Sequence, residues 1–133
     1  MDAGYSTTPQ LKKLGIVPGR RWAVEARPDD WFFETEPDPA DQAPIDSPAD
    51  VVVAFVRAAA ELPPMLARLE PRIFPTGALW IAWPRKAAGH ASDITDSVVR
   101  EAALDRELVD TKVAAIDTDW SGLRLVWRVS ARR

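Results

Sequence analysis

The residues of this chain that could do chemistry gather at the ends of its apolar runs. Val51-Val52-Val53-Ala54-Phe55-Val56 is followed at once by Arg57, and the run from Gly77 to Trp83 by Pro84, Arg85 and Lys86. A third stretch, Lys112 to Asp117, leads into Thr118, Asp119, Trp120 and Ser121. Guanidinium and ammonium groups hold oxyanions, an indole stacks on a ring or donates one hydrogen bond, and a carboxylate accepts from hydroxyls or amines. Arg57, Trp83, Arg85, Lys86, Asp119, Trp120 and Ser121 are therefore the candidate ligand-binding residues, suited to an anionic or nucleotide-like small molecule. A helix start at Ser92 or Asp93 would add free N–H groups that favour the same charge. Each residue also has a plainer role, as a solvated cation, a buried indole or a good turn former.

Other chemistry is excluded more firmly. The single histidine, His90, lies in the small-residue stretch Ala87-Ala88-Gly89-His90-Ala91-Ser92. An imidazole can act as a general base near neutral pH. No Gly-x-Ser-x-Gly elbow accompanies it, however, and no Asp or Ser stands at a recognisable spacing. His90 reads as a solvent-facing loop residue, and no catalytic residue is assigned. With one histidine and no cysteine, disulfides, thiolate metal sites and multi-histidine metal sites within the chain are ruled out. Asp117 and Asp119 offer the oxygen ligands that Mg²⁺ takes, too little to assign a metal, and no cofactor is assigned. Seventeen basic against twenty acidic residues, a formal charge of −3, argue against a nucleic-acid partner. The first residues carry an acid and no apolar run, and the longest apolar stretches fall far short of the roughly 20 residues that cross a bilayer. A cytoplasmic chain without a membrane partner is expected.

The elements that must position these residues follow from periodicity. A length of 133 residues, 47% hydrophobic and 28% charged, suits a single α/β domain, 1–133. Thr8-Pro9-Gln10 before Leu11, Leu14 and Ile16 predicts a short helix capped by Thr8 and stopped at Gly15. Arg21 to Ala26 then predicts a strand, and Trp31-Phe32-Phe33 a short helical turn that lids the core with one ring exposed. Residues 27–50 hold one basic and eight acidic groups and five prolines, which predicts an exposed irregular loop at about 35–49. The Val51 run is a buried parallel strand. Leu62, Met65, Leu66, Leu69 and Ile73 predict a helix with Pro63 and Pro64 in its first turn, ended by Pro71. Strands at Gly77 to Trp83 and Lys112 to Asp117 flank a helix from about Asp93 to Leu108. Leu123 to Val129 alternates apolar with polar, which predicts an edge strand joined to its predecessor by a hairpin. Alternating strands and helices imply a three-layer Rossmann-like α/β fold, its sheet mainly parallel with an antiparallel C-terminal hairpin.

Two resemblances carry expectations of their own. From Val51 to Val129 the order of elements resembles the C-terminal half of class I methyltransferases. The Gly-x-Gly turn that binds their cofactor is missing from Ala26-Arg27-Pro28-Asp29-Asp30-Trp31. Over nearly the whole chain, four blocks resemble the bacterial family named domain of unknown function 3052. They are Gly4-Tyr5-Ser6-Thr7-Thr8-Pro9 with Lys13-Leu14-Gly15-Ile16-Val17-Pro18-Gly19, Ala49 to Arg57, Gly77 to Lys86, and Val109 to Leu123. That family implies no activity. The expectation for function is a non-catalytic interaction or regulatory scaffold, its partner another protein or a second copy through Trp31 to Phe33 or the Leu123 to Val129 edge. The alternative is a small-molecule binding protein or a divergent methyltransferase-like enzyme. A true site would bring Trp83, Lys86 and Trp120 onto one ligand.

Overall fold

A computed structural model describes residues 9–132 of the chain. Its strands form where apolar and β-branched residues run together. They are β1 (Trp22–Glu25), β2 (Val51–Phe55), β3 (Ala78–Pro84), β4 (Leu108–Ala115) and β5 (Trp120–Trp127). Between them lie α1 (Gln10–Leu14), α2 (Leu62–Leu69) and α3 (Asp96–Leu104). Gly15 stops α1 in the left-handed conformation at φ 85°, where a residue without a Cβ is unstrained. Pro63 and Pro64 sit in the first turn of α2, where their missing N–H groups leave no bond unmade. The expected Thr8 cap lies outside the described residues.

The expected three-layer Rossmann-like architecture does not form. The sheet is mixed, with strand order β1-β2-β3-β5-β4. β1–β2 and β2–β3 pair parallel, whereas β3–β5 and β4–β5 pair antiparallel in the longer ladders. β5 is an interior strand, so the dimer edge expected at Leu123 to Val129 is not available, and the outer strand is β4. One sheet face buries Val52, Ala54, Leu79, Ile81, Leu123 and Leu125 against α2 and α3. Among the described residues no matching helical layer covers the other face. It buries Val51, Val53, Phe55, Trp80 and Ile116 beneath the five-residue α1 and the rings of Trp31 and Phe33. Among the described residues no helix is long and apolar enough to cross a membrane.

Boundaries moved where polar side chains found partners elsewhere. The carboxylate of Asp93 accepts from the Ala59 N–H at 2.9 Å, and Thr95 caps α3 by accepting from the Val98 N–H. The helix ends at Leu104, and the chain reverses through Glu107 at φ 67° into a β4 that begins four residues before its expected start. Trp31 to Phe33 form no helical turn. Trp31 and Phe33 are buried over the core, while Phe32 is 69% exposed. The acidic loop contains one 3₁₀ turn, Pro39–Asp41, and is anchored. Arg72, 5% exposed, donates to the carbonyls of Ser47 and Pro44 and pairs with Glu25 at 2.7 Å. The Ala43 N–H donates to the Trp22 carbonyl at 2.7 Å, and Gln42 bridges Trp22 beside the outer side of β1.

Gly122 sets the closest approach on the aromatic face. A β-carbon there would stand 2.6 Å from Ile116 Cδ1 and 3.0 Å from Trp80 Cε3, which overpacks a site with no slack. Gly122→Ala is expected to lose on the order of 1–3 kcal/mol in urea unfolding. Combined with Ile116→Val, which removes the clashing methyl, the loss should be smaller than the sum of the single changes.

Candidate functional site

The register between β3 and β5 decides where the candidate residues go. Trp83 pairs with Ser121, and Pro84 with Trp120. Residues directly opposite in an antiparallel pair share a face, and successive residues alternate faces. Trp83 and Ser121 therefore lie on the helical face and Trp120 on the aromatic face. The seven candidates do not converge on one ligand. They divide between two clefts, back to back across the end of the β3–β5 ladder.

The aromatic-face cleft, about 380 Å³, takes Arg57, Asp119 and Trp120, with Asp30, Phe32 and His90 also on its walls. Its floor belongs to a chain of rings. Trp31 meets Phe55 at 4.8 Å, and Phe55 meets Trp120 edge-on at 4.9 Å. Asp117 ties this floor together. One carboxylate oxygen accepts from the N–H groups of Asp119 and Trp120, and the other accepts from Trp31 Nε1 at 2.8 Å. Asp117 is thereby committed to structure. The Arg57 guanidinium lies over the Trp120 ring, 5.1 Å from its centroid. Among the described residues it makes no ion pair or side-chain hydrogen bond. His90 Nε2 is 2.9 Å from Asp119 Oδ1, a partnership that the sequence reading missed because the two residues are separated by α3 and β4.

The helical-face cleft, about 370 Å³, takes Trp83, Arg85, Lys86 and Ser121, with Thr95 and Asp96 at the start of α3. Arg85 reaches only the Thr118 carbonyl, at 3.5 Å. Lys86 Nζ and Ser121 Oγ meet no partner among the described residues. Asp96 is turned toward Arg100, 3.4 Å away. Arg100 titrates above its ordinary value, chiefly through its hydrogen bond to Asp110, with Asp96 adding to the effect. No three acidic or histidine side chains among the described residues stand close enough to hold a metal ion.

The tryptophans separate structural from open positions. The indole N–H of Trp22 donates to Asp38 O, Trp31 to Asp117, Trp80 to Leu14 O and Trp127 to Glu70 O. Trp83 and Trp120 donate to nothing among the described residues, although they are only 5% and 7% exposed. Among the described residues no fully buried side-chain nitrogen lacks a partner, so both N–H groups reach solvent. Each of these residues walls one of the two clefts.

No family model matches the chain, and no curated protein matches it. The resemblance to the family named domain of unknown function 3052 thus rests on the residues quoted for it.

Two measurements check this geometry. In water-exchange NMR, the indole protons of Trp83 and Trp120 should exchange faster than those of Trp22, Trp31, Trp80 and Trp127. Asp117→Ala, which strands three donors, should lower stability by on the order of 2 kcal/mol in chemical denaturation and open the segment around Trp31 to proteolysis.

Proposed function

We propose that this chain is a non-catalytic binding protein of the cytoplasm, and that the aromatic-face cleft holds a small anionic, ring-bearing ligand of nucleotide-like chemistry. The observation that carries this reading is the Arg57 guanidinium, laid on the Trp120 ring at the cleft wall with no carboxylate holding it. A guanidinium so placed is pre-oriented and keeps its donors for a phosphate or carboxylate. Asp30 and Asp119 offer acceptors for hydroxyl or amine groups, and the exposed ring of Phe32 offers a surface for stacking. A cleft of this size is in the range that small ligands occupy.

The absence of catalysis in this reading rests on one separation. His90 contacts Asp119, but Ser121 belongs to the opposite face and the Thr118 hydroxyl is turned to the far Asp119 oxygen, Oδ2, rather than to the imidazole. An imidazole activates a nucleophile only within hydrogen-bond reach. Binding a protein partner is the second reading, favoured by Phe32 at 69% and Ile45 at 85% exposure.

A thermal-shift panel of adenine and guanine nucleotides, nicotinamide cofactors, S-adenosylmethionine and acyl-CoA tests the proposal. A ligand at a hundred times its Kd adds about 2.7 kcal/mol, a Tm rise of several degrees for a chain of this length. Arg57→Ala should abolish the rise while costing only about 0.5–1 kcal/mol of unliganded stability. A panel without any shift overturns the small-ligand reading in favour of a protein partner.

A further inference from the structure

We infer that the helical-face cleft is a second, separate binding site, for a tetrahedral oxyanion: inorganic phosphate or the phosphate of a small monoester. Four kinds of donor line it, three of them without a partner among the described residues. Lys86 supplies an uncommitted ammonium, and Arg85 a guanidinium whose one acceptor is a carbonyl at 3.5 Å. Ser121 supplies a free hydroxyl. Trp83 supplies an indole N–H on a side chain that is 5% exposed and otherwise packed in the core.

The Trp83 donor points most directly to a ligand. Four other indole N–H groups of this chain end on protein acceptors, whereas that of Trp83 is left open to solvent on a residue that is only 5% exposed and walls the cleft. The other polar side chains of that cleft, Asp96 apart, can all donate. The first turn of α3, a helix of nine residues, opens on the same cleft. Thr95 satisfies the Val98 N–H and leaves the earlier N–H groups for an anion. Asp96 is the one carboxylate on the walls, and Arg100 answers its charge. Ala87, Ile94 and Val113 give the cleft an apolar side, room for the short organic group of an ester.

The chemistry differs from that of the aromatic-face cleft, where carboxylates and an imidazole are mixed with one guanidinium. The ¹⁵N–¹H spectrum of the whole chain, titrated with inorganic phosphate and in parallel with glycerol phosphate, separates the two. The Trp83 indole resonance should move in a saturable way while that of Trp120 stays in place. A tighter response to glycerol phosphate than to phosphate would assign the site to a monoester, and the reverse to the free ion. Lys86→Glu, on an exposed loop, should weaken the response by on the order of tenfold to a hundredfold. Ser121→Ala should weaken it less, and Arg57→Ala should leave it unchanged. The inference is overturned if the Trp83 resonance fails to saturate with either probe, or if Lys86→Glu leaves the response intact.

Discussion

The antiparallel contact between β3 and β5 is the constraint from which the rest of the molecule follows. Two of its rungs place Trp80 opposite Arg124 and Ala82 opposite Gly122. Gly122 leaves the room that Trp80 and Ile116 fill. Trp80, wholly buried, then donates its N–H to the Leu14 carbonyl and so fixes the end of α1 against the sheet. The next two rungs of the same ladder put Trp83 and Trp120 on opposite faces of the sheet. One register therefore sets both the packing of the aromatic face and the division of the polar rim.

Polar side chains hold together what the apolar core cannot. Gln10 donates to the Ile116 carbonyl and accepts from the Glu34 N–H, and Lys13 donates to the Ala115 carbonyl. Both are buried, a state that costs several kcal/mol unless each group is bonded. Together with Asp117 and Arg72 they attach the irregular first third of the chain to the sheet. That third contributes one four-residue strand and one five-residue helix. Its order comes from these ties and from the rings of Trp22, Trp31 and Phe33.

Much of this was legible in the residues, for local reasons. The continuous Val51 run and the stretch around Trp80 became buried strands within a residue or two of their expected limits, because a four- to seven-residue apolar run has few other places to go. Gly15 and the Pro63-Pro64 pair marked a helix end and a helix start by backbone chemistry alone. The pairing of strands was not legible. The alternation from Leu123 to Val129 signals one polar face, which by itself predicts an edge. Arg124 shows why that inference failed. It lies in an interior strand with its guanidinium on Thr111 Oγ1 at 2.9 Å, and burial, then Arg20, lower its pKa. The candidate site suffered the same way. Residue types at strand ends were informative, but which of them share a face depends on a register that only the folded sheet reveals.

The borders of the sheet bear on how this chain can associate. β1 is flanked at Trp22 by Gln42 and Ala43. β4, the other border, breaks register between Asp110 and Lys112, the kind of irregularity that bends a strand locally. The row of unpaired peptide groups on which foreign strands grow is thus interrupted at one point on each border. Such interruptions disfavour extending the backbone into a shared sheet and leave the side chains of loops and cleft rims as the surface others meet.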